Sequence, residues 1–457
     1  MSKTLQGTVR LAGALLLTCG ASMAGATMHL KDGREAALSV PMPPGIKLVS
    51  TELDGTVFAD AEGHTLYTWR QRELRNGYAG DPKGSPSNCG DEPEKTNAGL
   101  MSPYPAGLTL PDLADRPACS KLWPPLLAAA GAKPVDKWSL IKRKDGGEQW
   151  AYDGQPVYTS ALDHAPGDVF GGLSRPGAFD GPVTRHPVGP PPDVPPGFAV
   201  HTVNRGRMLT TTEGTWAVYY SEHDSPDHSN CDEQCLKTWK PMLAPATARA
   251  HGDWSVFQRA PGVFQWAFRK APLYTYILEH RPRGQAGDDL PGWHNVYTQL
   301  APPPPRGFTV QDSTAGEVLA DAQGRTIYTF SCGDDATDQL SCDYPGLVQA
   351  YRLALCGGGD AVRCRENFPY VVAPKGAKGS SRSWNVVLID PATGGFATKG
   401  TPDALRVWAY RNRPVYTYAG DAQPGDINAD SHGEFRGERD GYKAFWLRDD
   451  FFGQDGD

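Results

Sequence analysis

One short element that occurs three times constrains the architecture of this chain more than any other feature. Each copy contains Trp-Ala-aromatic, then three variable residues, then Pro, an aliphatic residue, Tyr and Thr; the copies lie at residues 149–159, 265–275 and 407–417. Repetition of a long motif inside one chain indicates that one structural unit has been duplicated. The sequence therefore predicts three copies of a single small fold.

Proline-rich segments precede the three units. They lie at residues 41–46, 190–198 and 302–308, and such segments form extended, semi-rigid spacers. With residues 1–26 set aside, they predict three repeat domains, at residues 43–186, 195–300 and 305–452.

Short runs of β-branched and aromatic residues around Asp/Gly turns predict hairpin strands in each unit. Leu66-Tyr67-Thr68 and Val157-Tyr158-Thr159 are alike, so each unit is also read as two half-repeats. In the second unit, Val218 is aligned with Tyr67, which implies that this unit lacks its first tyrosine. Each unit also has a cysteine four residues before an aromatic side chain, which predicts a short helix pinned by a disulfide. The expected fold is mainly β: three tandem small β-rich domains, each with such a helix, joined by proline-rich linkers.

Together these motifs resemble the bacterial lipoprotein family described as a secreted repeat of unknown function. The resemblance rests on Tyr-x-aromatic, on Cys-x3-Cys-x3-Trp-Pro-Pro-Leu and on Gln-Trp-Ala-Tyr-x-Gly-x-Pro-x-Tyr. It implies export and a small repeated β domain, and it implies no biochemical role. An acidic residue follows the first tyrosine motif in the family pattern. Here the corresponding residues, Glu73 and Asp334, lie one position later than in that pattern. The residues that carry the repeat motif are Tyr67, Trp69, Trp123, Trp150, Tyr158, Trp239, Trp266, Tyr274, Tyr328, Phe368, Trp408 and Tyr416.

The amino-terminal residues have the pattern of a secretory signal peptide. Lys3 and Arg10 precede a short apolar run, and small residues lead to a cleavage point after Ala26. The alternative is lipidation of Cys19, which follows Leu16-Leu17-Thr18. We therefore expect an exported protein, periplasmic or secreted, with no membrane-spanning segment in the mature chain.

The formal net charge of -7 and the absence of a basic block argue against a nucleic-acid partner. The partners that remain are an envelope protein, a wall polymer or a metal ion. Gly-x-Ser-x-Gly and His-Glu-x-x-His are both absent from the sequence, so no hydrolase is indicated. A non-enzymatic binding or structural role is the main expectation.

Eight of the nine cysteines form an even set in an exported chain, which favours disulfides. The expected pairs are Cys89–Cys119, Cys231–Cys235, Cys332–Cys342 and Cys356–Cys364. The alternative is a redox or metal site. Two thiolates and two imidazoles, from Cys231, Cys235, His223 and His228, would suit zinc or copper.

Two further hypotheses concern binding. The repeated aromatic residues are expected in the domain cores, and the alternative is an exposed platform on which sugar rings stack. Asp426, Asn428 and Asp430 have the spacing of the first calcium ligands of an EF-hand, but the glycine and glutamate of that loop are missing. A solvated turn is the simpler interpretation.

Overall fold

The computed structural model describes residues 28–74, 77–93, 105, 107–109, 117–171, 185–331, 350–430 and 441–450. Strands dominate these residues and the helices are short, so the prediction of a mainly β fold is confirmed. Within those ranges, none of the helices combines the length and the apolar character needed to cross a bilayer.

The first unit is built on a five-stranded antiparallel sheet with the order β6-β7-β8-β3-β9, beside the hairpins β1–β2 and β4–β5. Its elements are β1 (Lys47–Ser50), β2 (Thr56–Ala59), β3 (Tyr67–Thr68), β4 (Arg72–Leu74), β5 (Gly77–Ala79), α1 (Cys119–Leu122), β6 (Trp138–Lys142), β7 (Glu148–Tyr152), β8 (Gln155–Tyr158) and β9 (His186–Pro187).

The strands of the second unit form three sheets. Their strand orders are β10-β11-β20, β13-β18-β12-β19 and β14-β16-β15, and β17 pairs with β16. Its strands are β10 (Phe198–Val203), β11 (Gly206–Thr211), β12 (Val218–Ser221), β13 (Trp239–Pro241), β14 (Leu243–Ala244), β15 (Trp254–Ala260), β16 (Val263–Phe268), β17 (Ala271–Pro272), β18 (Tyr274–Tyr276), β19 (Trp293–Asn295) and β20 (Tyr297–Leu300). Its helical turns are 3-10 helices at Cys235–Lys237 and Ala286–Asp289.

The third unit repeats the arrangement of the first, with a five-stranded sheet of order β24-β25-β26-β23-β27 and a three-stranded sheet of order β21-β22-β28. Its elements are β21 (Thr309–Ser313), β22 (Gly316–Ala320), β23 (Tyr328–Ser331), α2 (Ala350–Gly357), α3 (Ala361–Asn367), β24 (Trp384–Ile389), β25 (Leu405–Tyr410), β26 (Arg413–Tyr416), β27 (Gly441–Ala444) and β28 (Trp446–Asp449). Every sheet described takes its strands from one predicted unit, except that β9 extends one residue past the predicted end of the first unit, to Pro187.

Each central sheet has an apolar core on both faces. In the first unit, Phe58, Trp138 and Trp150 pack on the side of β1 and β2. Tyr67 and Trp123 pack on the other side, against α1 and its disulfide. Tryptophan and tyrosine bury large areas, so a few of them fill cores that are bounded by such short strands. The helix with its disulfide closes the second face.

The three units contact one another pairwise. The turn between β1 and β2 meets the third unit, where Asp54 lies 2.6 Å from the guanidinium of Arg411. The same turn meets the second unit, where the Nε2 atom of Gln299 donates to the carbonyl oxygen of Thr51 at 2.9 Å. Arg448 pairs with Asp289 between the third and second units. Each unit therefore touches both of the others.

The segment before the first unit is not an isolated tail. Residues 28–35, called the leader here, lie on the second unit, and the side chain of Met28 packs into its core. The carboxylate of Glu35 is 8% exposed and receives two hydrogen bonds from Arg207, at 2.8 and 3.1 Å. Nothing in the sequence pattern of this segment indicates a role, yet it packs as part of the second unit.

Candidate functional site

Two tyrosines face each other at the centre of each unit. The antiparallel register pairs Tyr67 with Tyr158 in the first unit. It pairs Tyr219 with Tyr274 in the second and Tyr328 with Tyr416 in the third. The two half-repeats read from the sequence therefore meet at a pair of tyrosines in every unit.

The first tyrosine of each unit donates a hydrogen bond to a carboxylate, which is buried in the first unit and half-buried in the other two. The distances are 2.7 Å from Tyr67 to Asp163, 2.5 Å from Tyr219 to Glu279 and 2.7 Å from Tyr328 to Asp421. In all three units this acid follows the second tyrosine by the same interval in the sequence. The other oxygen of each acid accepts a backbone N–H, which for Asp163 comes from Phe170 at 2.8 Å. Each pair thus fixes the loop that follows the second tyrosine.

The second tyrosine makes the reciprocal contact. Tyr158 donates to Asp81 at 2.5 Å and Tyr274 donates to Asp224 at 2.8 Å. The acid that acts in the first unit is therefore Asp81 and not Glu73, because the β4–β5 hairpin is inserted before it. The corresponding loop of the third unit, which contains Asp334, lies outside the described residues.

The alignment of Val218 with Tyr67 is wrong. Tyr219 pairs with Tyr274 across the strands as Tyr67 pairs with Tyr158, and its hydroxyl binds Glu279 as that of Tyr67 binds Asp163. The second unit therefore keeps its first tyrosine. The sequence of this strand holds two adjacent tyrosines, and the pattern alone gave the wrong register.

Burial shifts the acidity of these pairs. It raises the pKa of Asp163 to about 7, although the hydrogen bonds from Tyr67 and from the backbone act in the opposite direction. Burial also raises the pKa of Asp81, Asp224 and Asp421. The pKa of Tyr67 is raised by burial and then by the neighbouring charge of Asp163. Phenols in this environment stay protonated at neutral pH, so each tyrosine continues to donate its hydrogen bond to the carboxylate.

The repeated aromatic residues lie in the cores, as the main expectation has it. Those that are buried are Tyr67, Trp123, Trp150, Tyr158, Trp239, Trp266, Tyr274, Tyr328, Phe368, Trp408 and Tyr416. Trp69 is half-buried, and the guanidinium of Arg185 lies 4.1 Å from the centre of its ring. A platform for stacking sugars would have to use other rings.

Disulfides join Cys89 to Cys119, Cys231 to Cys235 and Cys356 to Cys364. Each lies at the short helix that precedes an aromatic residue, which matches the predicted arrangement. Cys332 and Cys342 lie outside the described residues, as does Cys19.

The copper or zinc hypothesis stays a prediction. Cys231 and Cys235 are joined as a disulfide and offer no thiolate in this form, and His223 and His228 are exposed. Within the described ranges, the ligand atoms of these four residues do not form a common cluster.

The described residues do contain one cluster with the composition of a cation site, formed by Asp60, Glu62 and His64. Asp60 accepts the backbone N–H of His64 and binds its ring at 2.9 Å. At the matching turn of the third unit, Asp321 binds Arg325 in the same way. An arginine cannot be a metal ligand, so the shared feature is a turn stabilised by an aspartate.

The three residues of the calcium hypothesis each make separate contacts. Asp426 accepts backbone N–H groups from Ala422 and Gln423, both at 2.8 Å. Asp430 accepts the N–H of Ala444, and the N–H of Asn428 donates to Asp421. One carboxylate oxygen of Asp426 and one of Asp430 therefore hold the backbone, and calcium binding here stays a prediction.

The first unit has an open groove beside the turn between β7 and β8. Its volume is about 350 Å³. Its lining includes Arg70, Lys137, Tyr152, Asp153, Gln155 and the proline segment 190–192. No described segment of the chain occupies it, and no sequence motif pointed to it, because its walls come from strands and a linker that are far apart in the sequence.

Corresponding turns exist in the other units. The backbone N–H of Asp153 donates to the carbonyl of Lys137, and the matching bonds run from Arg269 to Asp253 and from Arg411 to Ser383. All three turns place a non-glycine residue at positive φ, with values of 48° at Asp153, 46° at Arg269 and 47° at Arg411. The same groove position can therefore be located in every unit.

Comparison with known proteins finds one family model that matches part of the chain. Residues 139–172 match the model of a family described as a secreted repeat of unknown function, the family that the sequence motifs resemble. This segment contains the second tyrosine of the first unit and the loop with Asp163. No curated protein and no solved structure matches the chain.

Proposed function

We propose that this chain is an exported cell-envelope protein that acts as a non-enzymatic binding module through the groove of its first unit. The observation that carries the proposal is that this groove is open in the described structure and has a size and a mixed apolar and polar lining suited to a ligand. The family to which residues 139–172 match is described as secreted, which supports an exported location.

The buried tyrosine–carboxylate pairs also support a binding role over a catalytic one. Tyr67, Tyr219 and Tyr328 are fully buried, so a substrate cannot reach their hydroxyl groups. A catalytic acid or base must lie within hydrogen-bond reach of its substrate. The groove residues Arg70, Lys137 and Asp153, in contrast, are exposed.

The location is proposed from the amino-terminal pattern. Cleavage after Ala26 places the protein in the periplasm or outside the cell, and lipidation of Cys19 would tether it to a membrane. The intact mass of the natively exported protein separates these alternatives. A mass that begins at Thr27 supports simple export, and a mass that begins at Cys19 with added acyl chains supports the tether.

Photocrosslinking in the native envelope tests the binding proposal. Benzoylphenylalanine at Tyr152 places the reactive group in the groove, and the same residue at Lys142 provides an exposed control that lies outside it. We expect an adduct with an envelope component from position 152 and none from position 142. If both positions give the same adducts, or neither gives any, the proposal is wrong.

A further inference from the structure

The position that is open in the first unit is filled by a chain segment in the other two. In the second unit the occupant is the leader. Its Met28 N–H donates to the carbonyl of Glu222 at 2.9 Å, and Arg269 donates to the carbonyls of Lys31 at 3.1 Å and Arg34 at 3.3 Å. The second unit therefore holds the leader through these backbone groups, in addition to the side-chain contacts of Met28 and Glu35.

In the third unit the occupant is the acidic turn between β1 and β2. Asp54 pairs with Arg411, and the carboxylate of Glu52 accepts the N–H of Ser383 at 2.7 Å. Arg413 donates to the carbonyl of Phe170, from another loop of the first unit, at 2.9 Å. A polypeptide is therefore the occupant in both filled grooves.

The charges of the open groove distinguish its ligand from the leader. Strand register places Arg70 of the first unit where the second unit has Glu222. The matching backbone bonds place Lys137 where the second unit has Asp253, and Asp153 where it has Arg269. All three signs are reversed, so a segment suited to the second groove is not suited to the first.

The reversed set leaves a positive rim. Asp153 is paired with Lys83 at 3.0 Å. In the described part of the chain, Arg70 and Lys137 have no ion pair. Two exposed cations beside a groove attract a ligand that carries carboxylates, and charge complementarity of this kind sets specificity.

A polar atom inside the groove adds a second, independent observation. The Oε1 atom of Gln155 is buried and has no hydrogen-bond partner among the described residues. Its counterpart in the third unit is Arg413, which bonds to the backbone of the docked loop. A buried acceptor without a donor is costly, and if this side chain turns towards the groove, a backbone N–H from a bound peptide would satisfy it.

From these contacts we infer that the open groove of the first unit binds an extended acidic segment of a partner polypeptide. The peptide backbone bonds to Gln155, and its carboxylates lie against Arg70 and Lys137. The side chain of Tyr152 and the prolines 190–192 form the apolar walls. This inference rests on the proposed binding function and specifies the class of ligand.

Fluorescence anisotropy on the full mature protein, with disulfides intact, tests the inference. The probe is a labelled peptide with the sequence of residues 49–56, which contains the acidic turn that docks on the third unit. The control probe is the same peptide with Glu and Asp changed to Gln and Asn. We expect the acidic peptide to bind about tenfold or more tightly, and to bind more weakly as salt is added.

Charge reversal locates the binding. The double variant Arg70→Glu, Lys137→Glu should reduce the affinity for the acidic peptide about tenfold or more, and Lys137→Arg should keep it. Lys142→Glu is the matched control, because Lys142 is an exposed lysine outside the groove, and this variant should bind as the unchanged protein does.

Equal binding of the acidic and amide peptides would overturn the inference, as would an unchanged affinity in the double variant. The crosslinking experiment at position 152 shows whether only the acidic peptide ligand is wrong or the binding function of the groove is wrong as well. An adduct that a muramidase degrades and a protease does not would support a binding module for a wall polymer and refute a peptide ligand. An adduct within the same chain would refute both.

Discussion

Removal of the hydroxyl of Tyr67 gives the sharpest test of the hydrogen bond between the first tyrosine and its carboxylate. Tyr67→Phe keeps the ring and its edge contact with Trp123 at 5.3 Å between centroids, and removes one hydrogen bond to Asp163. Asp163 is 4% exposed, so water cannot replace the lost donor freely. The N–H of Phe170 is still bonded to the other oxygen.

The size of the effect depends on the charge of Asp163, whose pKa is raised to about 7 by burial. Below that value the acid is neutral, and loss of a neutral hydrogen bond costs about 1 kcal/mol of unfolding free energy. Above it the acid is ionised, and loss of a bond to a charged group costs about 2–3 kcal/mol. We therefore expect the destabilisation by Tyr67→Phe to be about 1 kcal/mol at pH 5 and to increase towards pH 8.

Urea unfolding of the full chain, followed by circular dichroism and tryptophan fluorescence at both pH values, measures this difference. Tyr152→Phe is a matched control in the same sheet, since the described residues supply no carboxylate partner for its hydroxyl. It should cost less than about 0.5 kcal/mol at either pH. A destabilisation by Tyr67→Phe that is the same at pH 5 and pH 8 would refute the assignment of a buried, titrating Asp163.

Three further outcomes follow from the structure. The pKa of Asp163 is raised to about 7 in the folded state and is near 4 in the unfolded state, so its contribution to stability is complete below about pH 4 and is lost as the pH rises through 7. This loss is at most about 4 kcal/mol of unfolding free energy. Asp163→Asn should remove it, as measured by unfolding at a series of pH values. Glu35→Gln leaves half-buried Arg207 without its charged partner, so the leader should become sensitive to limited proteolysis and stability should fall by about 1–3 kcal/mol. If the copper or zinc hypothesis is right, the reduced protein binds a stoichiometric ion that His223→Ala with His228→Ala abolishes, as measured by metal analysis after dialysis; unchanged uptake contradicts it.

Local patterns in the sequence were sufficient to predict the class of fold. The β-branched and aromatic residues of the repeated element predicted the strands that carry Trp150 and Tyr158. The spacing of Cys119 and Trp123 likewise predicted a short helix at a disulfide. These features depend on residues that are close in sequence, which is why pattern alone identified them.

Register and long-range contacts were not predictable in this way. The choice between Val218 and Tyr219 depends on which residue pairs with Tyr274, and a shift by one residue exchanges the two faces of a strand. The pairing of Glu35 with Arg207 joins the leader to the second unit, and no local motif encodes it. The open groove could not be predicted for the same reason, since Gln155 and the proline segment 190–192 meet only in the folded chain.

The docking of the leader on the second unit has a consequence for the order in which the molecule assembles. A ribosome makes the leader first, yet Glu35 completes its contacts only when Gln299 has been made, 264 positions later. The first unit must likewise wait for Arg411, which lies 357 positions after Asp54. Closing such long loops is slow, and intermediates with unfilled grooves expose surface to other chains. Two of the three grooves therefore stay unfilled until distant parts of the chain have come together, and the third stays open in the finished fold.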